Sequence, residues 1–220
     1  VNVFRESIYM LLSIGIIFSI LGTLFADEIA IMLGATGELV SPAAEYTKYY
    51  MLFTVPVLLA IALSTFIRHD GSPKLSMRSM LYGAVTNIVL DYVFVFPLQM
   101  GLRGAAIASG LGQIVTVITC MKHFIERRGI LRIGKASFEW EDIKDIFVLG
   151  FPSFLTEVSY SVMMYLHNLA VISQVGEIGV TAYGIVNYIN NISYMALFGI
   201  GQGIQPMVSY YYGRGKFDKG

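Results

Sequence analysis

Six segments of about twenty mostly apolar residues recur along this chain, and they constrain its fold more than any other feature. The hydrocarbon core of a bilayer is about 30 Å thick, which about 20 helical residues can cross. Because lipid offers no hydrogen-bond partners, a backbone in this region must satisfy its own polar groups, as a helix does. The pattern predicts an all-α integral membrane protein, a polytopic bundle of six transmembrane helices at 8–25, 46–67, 77–96, 104–124, 147–173 and 180–211.

Charge is distributed unevenly among the connections between these segments. Thirteen of the fifteen Lys and Arg residues lie on one side: before the first segment, after the last, in alternate connections, or at the segment ends that adjoin these connections. Only Lys48 and Arg103 fall on the opposite side, together with acids such as Glu38. Lys and Arg are enriched on the cytoplasmic side of membrane proteins, so the first group of connections is predicted to be cytoplasmic.

The third segment carries a carboxylate where charge is costly. Asp91 lies inside it and Asn87 precedes Asp91 by four residues, so both side chains share one helix face. A carboxylate near the bilayer centre costs about 2.5–3.5 kcal/mol on insertion scales, which favours an ion or substrate site. The alternative is a protonated Asp that joins two helices by hydrogen bonds, as polar side chains do in membrane bundles.

A second intramembrane acid, Glu157, lies in the fifth segment. Helical spacing puts Ser153, Ser161, Met164 and Asn168 on or near its face, which makes a polar stripe in a segment that should avoid polarity. This pattern indicates a second site for a proton or cation. A protonated Glu157 that bonds its neighbouring serines remains the alternative.

Amide and phenol side chains recur at helical spacing in the sixth segment, and methionines accompany them. Such a face suits amphiphilic organic cations, because aromatic rings attract cations and methionines adapt to varied shapes. Packing between helices is the alternative explanation for each residue. The predicted substrate-cavity residues of the fifth and sixth segments are Tyr160, Met164, Asn168, Tyr183, Asn187, Asn191 and Tyr194.

One sizeable polar stretch separates the fourth and fifth segments. We interpret 126–146 as a cytoplasmic linker between two lobes, with a short amphipathic helix that Ser137 caps and Trp140 anchors at the membrane surface. Residues 1–125 then form part of an N-terminal lobe with four transmembrane helices. Residues 147–220 begin a C-terminal lobe with two.

Six short motifs along the chain are Asn87-Ile-Val-Leu-Asp91, Gly101-Leu-Arg-Gly104-Ala-Ala-Ile-Ala-Ser109, Gly71-Ser-Pro73-Lys, Phe151-Pro152-Ser-Phe-Leu-Thr-Glu157, Gly201-Gln-Gly203-Ile-Gln-Pro206 and Gly213-Arg-Gly215. Together they resemble motifs of the multidrug and toxic compound extrusion (MATE) transporters. The resemblance covers nearly the whole chain and corresponds to about the third to eighth of the family's usual twelve helices. It therefore implies further spans before Val1 and after Gly220.

The resemblance implies a function and a site. It implies a secondary antiporter that exports organic, often cationic, drugs or toxic compounds in exchange for inward H⁺ or Na⁺. Asn87, Asp91 and Ser109 are similar to the cation site of the family's first lobe, with Ser109 where many members have Thr. Carboxylate, amide and hydroxyl oxygens are hard ligands that Na⁺ accepts. Glu157 matches an acid that the family links to cation coupling in the second lobe.

The expected partners are a small organic substrate and the lipid bilayer of the bacterial inner membrane. No nucleic acid, cofactor or metal beyond the possible Na⁺ is expected, and a monomer is the expected state. A lipid-linked saccharide flippase of the same superfamily is an alternative, although no Arg or Lys lies deep within the segments to hold a pyrophosphate. A membrane enzyme using the two acids is a further alternative without a supporting motif.

Overall fold

The computed structural model describes residues 1–33, 35 and 37–213, and at positions 39, 168, 172, 177, 178, 180–182, 206 and 213 it describes the backbone alone. These residues form α-helices and one short 3-10 turn, Gly37–Leu39, with no strand among them. The helices are α1 (Asn2–Leu24), α2 (Ala26–Met32), α3 (Val40–Leu52), α4 (Thr54–His69), α5 (Pro73–Val95), α6 (Gly101–Ile125) and α7 (Trp140–Gly213).

The helices cover all six predicted segments, and the predicted all-α, polytopic fold class is confirmed. Among the described residues, α1, α6 and the part of α7 up to Gly176 are long and apolar enough to cross a membrane, and α3 with α4 qualifies as one bent span. Helix α5 is long enough to cross a membrane but is not among the helices that are apolar enough. Its polar residues, Asn87 and Asp91 among them, lower its mean hydropathy. The residues that predict a site therefore also make this helix harder to recognise as a transmembrane span.

The second predicted segment is bent where α3 meets α4. The two helices differ in direction by 53° across a break at Phe53. Pro56 lies at the third position of α4, and it has no N–H to donate to the carbonyl of Leu52. The helical ladder is therefore interrupted at this point, and a new helix begins at Thr54.

The amphipathic helix predicted in the linker takes a different form. Helix α7 begins at Trp140 and continues into the fifth segment, so no separate short helix is present in the described chain. The hydroxyl and the backbone N–H of Ser137 both donate to Asn2 Oδ1, 3.0 and 3.1 Å away, so Ser137 fastens the linker to α1 and is not a helix cap. Helix α7 is interrupted at Gly176, where φ is 71° and ψ is −161°.

The chain divides into two compact units, Val1–Ile143 and Lys144–Gly220. The division falls inside the stretch predicted as a linker, 126–146. In the first unit, an apolar core joins the N-terminal parts of α1 and α5 to the C-terminal parts of α4 and α6, with the rings of Phe4 and Phe124 stacked at 5.5 Å. The buried members of this core are Phe4, Leu63, Ile67, Leu75, Cys120 and Phe124.

Candidate functional site

Three predicted site residues meet in the first unit, on the facing sides of α5 and α6. The Nδ2 group of Asn87 donates to Asp91 Oδ2 at 3.0 Å along the same helix. The same nitrogen donates to Ser109 Oγ at 3.3 Å across to α6. Asn87 is therefore the residue through which the carboxylate on α5 and the hydroxyl on α6 are joined.

The second carboxylate oxygen of Asp91 is differently placed. Asp91 Oδ1 is buried and has no hydrogen-bond partner among the described residues. A buried charged oxygen without a partner is costly, so a proton or a cation at this atom would be stabilising. Na⁺ would also need the Asn87 amide to turn by half a rotation, because in this arrangement its NH₂ group faces the other two side chains. With the Asn87 amide turned in this way, the three side chains offer oxygen ligands that fit a hard cation. A proton on Asp91 needs no such rotation.

Two glycines set the distance between α5 and α6 at this site. A Cβ atom at Gly112 would lie 2.7 Å from the Gly83 carbonyl oxygen and 3.1 Å from Asn87 Cβ. A Cβ atom at Gly83 would lie 2.0 Å from Thr116 Oγ1. Both helices therefore approach backbone to backbone one turn from Asn87, and this approach brings Ser109 within reach of its amide.

Gly101, Gly104, Ala108 and Gly112 recur along α6, and this pattern predicts a small-residue face for close packing. Gly104, Ala108 and Gly112 are buried, as a packing face requires. Gly101 is exposed and adopts a φ of 58°, which glycine adopts readily, at the first position of the helix.

A cavity of about 530 Å³ lies beside Asn87 and Ser109 in the first unit. The rings of Tyr46 and Tyr50 at its wall are stacked at 5.8 Å and 11°. Its size is within the range of sites for drug-sized ligands, about 300–1,000 Å³. The lining residues are Tyr46, Tyr50, Val57, Ala60, Ile61, Ser64, Met80, Gly83, Ala84, Asn87, Ser109, Gln113 and Thr116.

Sequence reasoning missed this cavity, because it did not examine the polar side chains of the second segment and considered only Ser109 in the fourth. Tyr46 and Tyr50 stand four residues apart in the second segment, and Gln113 follows Ser109 by four in the fourth. Both spacings put the paired side chains on one helix face. The same rule that joins Asn87 to Asp91 would have found them.

The second unit contains the other predicted site residues, all on α7. Glu157 is exposed within this chain, and its backbone carbonyl accepts a hydrogen bond from Ser161 Oγ at 2.9 Å. Tyr160 stacks on Tyr194 with ring centroids 6.2 Å apart, although 34 positions separate them (194 − 160). The structure thus brings together one predicted aromatic pair across the interruption at Gly176.

Among the described side chains, the other predicted cavity residues do not contact one another in the same way. Tyr183 stacks on His167 at 6.0 Å, and not on another residue of the predicted set. Met164 and Asn187 are half-buried, whereas Asn191 is exposed. The side chain of Asn168 lies outside the described part of the chain, as does the Gly213-Arg-Gly215 motif apart from the backbone of Gly213.

A second polar cluster, which the sequence did not predict, holds the linker to the first unit. Asp70 Oδ2 lies 2.8 Å from His123 Nε2, and its two oxygens accept the backbone N–H groups of Ile130 and Leu131, both at 2.9 Å. His123 Nδ1 lies 3.0 Å from the hydroxyl of Ser72. Burial of Asp70 favours its neutral form, but the hydrogen bonds from His123 and from the two N–H groups outweigh burial and lower the pKa of the carboxyl.

Comparison with known sequences relates the chain to one family. A sequence model of the family described as MatE matches residues 1–93 and 152–219. The multidrug export protein MepA of Staphylococcus saprophyticus is 31% identical over 207 residues, which cover 93% of this chain and 46% of that protein. The chain therefore spans about half the length of the curated relatives it matches.

Solved transporter structures have the same fold. A MOP superfamily transporter from Pyrococcus furiosus superposes with a TM-score of 0.88 at 28% identity, covering 99% of this chain and 49% of that one. The reverse polarity of its binding pocket is described as suggesting a different function. An outward-facing multidrug resistance transporter of the MATE family superposes with the same score, identity and coverage.

Proposed function

Because this chain belongs to the MatE family of transporters, we propose that it works in a secondary antiporter that exports small organic, often cationic, compounds. The observation that carries the proposal is the hydrogen bonding of Asn87 to Asp91 and Ser109, because Asn87 and Ser109 line a cavity of about 530 Å³. A carboxylate that can accept a cation then lies close to a cavity that can accept an organic substrate. An antiporter needs a place for each of these two ligands.

In the proposed coupling step, the cation and the organic substrate favour different arrangements of the helices. A proton or Na⁺ at Asp91 neutralises the carboxylate and changes the hydrogen bonds that Asn87 makes with Asp91 and Ser109. Those bonds link α5 to α6 on the wall of the cavity, so loading the cation alters the surface that an organic substrate meets. Antiport follows when cation and substrate favour different arrangements of the same helices.

The cavity lining supports an amphiphilic cation as the substrate. Tyr46 and Tyr50 offer stacked aromatic faces, Gln113 offers an amide, and Met80 offers an adaptable apolar surface. The stacked Tyr160 and Tyr194 of the second unit are proposed to provide a further aromatic surface. Glu157, on the same helix as this pair, is proposed as a second acid that takes up a proton.

Two alternatives receive less support. The lipid-linked saccharide flippase requires basic side chains for a pyrophosphate, and the residues that line the cavity beside Asn87 and Ser109 include no Lys or Arg. The membrane enzyme finds no counterpart in the relatives, which are named as multidrug exporters and transporters.

The protein is proposed to act in the bacterial inner membrane as a multi-pass monomer. Relatives from Staphylococcus support a bacterial membrane. The basic connections, the linker among them, face the cytoplasm by the distribution of Lys and Arg. The coupling ion, H⁺ or Na⁺, is the one inorganic partner proposed.

Flux through reconstituted vesicles tests the proposal. Uptake of a fluorescent organic cation is measured in proteoliposomes while a pH gradient and a sodium gradient are imposed separately. Replacement of Asp91 by Asn is expected to reduce gradient-driven uptake by about tenfold or more. Such a loss lies within the range of about 5- to 150-fold by which one bound ligand usually changes the affinity for another. Asp27→Asn is the matched control, because Asp27 is an exposed acid on α2.

The result for Asp91→Asn decides the assignment. Unchanged uptake against a gradient would remove this carboxylate from the mechanism. Equal loss in the Asp27→Asn control would show that the defect comes from lost acid charge in general and not from this site.

A further inference from the structure

A second cavity of about 190 Å³ lies in the first unit, near the cytoplasmic ends of α1, α4 and α6 and beneath the linker. It is separate from the cavity at Asn87, with which it shares no lining residue. Its lining is apolar apart from Arg5 and the Tyr9 hydroxyl. The apolar lining residues include Leu59 and Leu63 of α4, Val117 and Met121 of α6, and Ile133 of the linker.

The size and the apolar lining of this cavity favour a narrow apolar ligand. Its volume is below the range of about 300–1,000 Å³ for drug-sized ligands. Side chains of three transmembrane helices form its walls, and none of those on α4 and α6 carries a polar group. An alkyl chain fits such walls, because each buried CH₂ group contributes about 0.8 kcal/mol.

The mouth of the cavity is cationic. Arg5 lines the cavity and donates from Nε to the carbonyl of Arg132 at 2.9 Å and from Nη1 to the carbonyl of Lys135 at 3.2 Å. Its Nη2 group makes no hydrogen bond within the described chain and lies beside Gly134, 3.2 Å from the position that a Cβ would take there. The guanidinium therefore retains donors for an anion at the edge of an apolar space.

Neighbouring charges support an anionic guest. Arg132 and Lys135 follow one another closely in the linker segment that Arg5 binds. The nearest acid on α1, Glu6, is buried and directs Oε1 to Asn2 and to the backbone N–H of Glu139. Glu6 does not line the cavity, so Arg5 is the charged side chain among its lining residues.

We propose that this cavity binds part of one acyl chain of an anionic phospholipid, the part nearest the head group, whose phosphate is held by the guanidinium of Arg5. Basic pockets between transmembrane helices on the cytoplasmic side are suited to anionic head groups. The lipid would contact α1, α4, α6 and the linker at once, so it would hold the linker against the first unit. This role is independent of the cation at Asp91.

Photocrosslinking tests the proposal with the whole protein in detergent–lipid micelles. The probe is phosphatidylglycerol with a diazirine on one acyl chain, compared with phosphatidylcholine carrying the same chain, and labelled peptides are identified by mass spectrometry. Labelling of the α4 and α6 peptides that contain Leu63 and Met121 is expected to be about fivefold greater with phosphatidylglycerol.

Three variants separate the parts of the proposal. Arg5→Gln is expected to abolish the preference for phosphatidylglycerol. Val117→Phe fills the cavity and is expected to abolish labelling by both lipids while Arg5 stays in place. Arg127→Gln removes an equal charge from an exposed linker position outside the lining and is expected to change neither.

The outcomes are distinguishable even where a variant weakens the fold. Equal labelling by the two lipids in the unmodified protein would overturn the anionic head group. Unchanged labelling in Val117→Phe would overturn the cavity as the place of the chain. Competition by inorganic phosphate but not by unlabelled phosphatidylglycerol would show that Arg5 binds free phosphate and would likewise overturn the proposal.

Discussion

Three polar side chains from two helices meet at Asn87, and each supplies a different group. Asp91 supplies a carboxylate, Ser109 a hydroxyl, and Asn87 an amide that donates to both. The pair on α5 follows from helical spacing, which makes residues four apart neighbours. The contact with Ser109 joins positions 22 residues apart and depends on how the helices pack.

The hydroxyl of Ser109 is expected to matter through its oxygen alone. Ser109→Ala removes one partly buried hydrogen bond and should weaken the apparent affinity for the coupling cation by about 2- to 10-fold, the equivalent of about 0.5–1.5 kcal/mol. Ser109→Thr keeps the hydroxyl and should stay near the unmodified protein. Cation-dependent flux in proteoliposomes measures the change, and equal loss in both variants would contradict the assignment.

Asp70 predicts a dependence on pH at the linker. Its pKa in the folded protein lies below the ordinary value of 3.8, so the carboxylate stabilises the folded linker above pH 3.8. That contribution is lost as the pH falls through the lower, folded value. Hydrogen exchange at the amides of Ile130 and Leu131 should therefore lose protection at acid pH.

The variant Asp70→Asn separates this effect from general acid unfolding. It cannot titrate, so its amides should exchange about tenfold faster at neutral pH, because bonds to a charged acceptor are lost. Their protection should then change little with acid. Parallel loss of protection in the variant and in the unmodified protein would show that another group titrates.

At the scale of helices, the crossing of α5 and α6 is the feature that assembles the site. Gly83 and Gly112 have no Cβ atoms, so each helix packs against the other's backbone. Sequence reasoning predicted a small-residue face on α6 that includes Gly112, but it did not assign Gly83 a partner role. A lone glycine inside an apolar segment gives no sign of what it will contact.

Gly83→Ala is expected to separate α5 from α6. Its methyl group would meet Thr116 Oγ1 at 2.0 Å and the Gly112 carbonyl at 2.7 Å, so overpacking should cost about 1–3 kcal/mol. Thermal unfolding measures that loss, and cation-dependent flux should fall with it. Gly150→Ala is the control, because no atom lies within 4 Å of its Cβ position; equal destabilisation there would refute the packing argument.

At the scale of the whole molecule, the sequence predicts a division into 1–125, 126–146 and 147–220, and the structure divides the chain into two compact units between positions 143 and 144. The assignment of these units to transporter lobes stays a prediction. The linker between the last span of the first unit and α7 belongs largely to the first unit, to which Asn2, Arg5 and Asp70 bind it.

Gly176 offers a test within the second unit. Its φ of 71° and ψ of −161° lie in a region essentially restricted to glycine, so Gly176→Ala should destabilise this unit by about 1–3 kcal/mol. Gly184→Ala is the matched control, because neither glycine has an atom within 4 Å of its Cβ position. Thermal unfolding of the two variants should therefore differ; equal stability would mean that the backbone at Gly176 relaxes without cost.

The sequence by itself determined the class of the fold and the part of the site that lies on a single helix, the pair Asn87 and Asp91. Apolar length requires helices in lipid, because each backbone group must find its partner within the same segment. Helical spacing then joins Asn87 to Asp91, whatever the rest of the chain does. These are short-range consequences of composition and period, and they need no knowledge of neighbouring helices.

Only the tertiary structure decided which distant groups meet. The contact of Asn87 with Ser109, the cavity lined by Tyr46 and Tyr50, and the bonds from Asp70 to Ile130 and Leu131 all join separate elements. Each depends on the rotation and spacing of packed helices, which glycines at a crossing or a break at Phe53 can change by several ångströms. The physical reason is that packing selects among many arrangements of the same helices, whereas hydrogen bonding within a helix allows one.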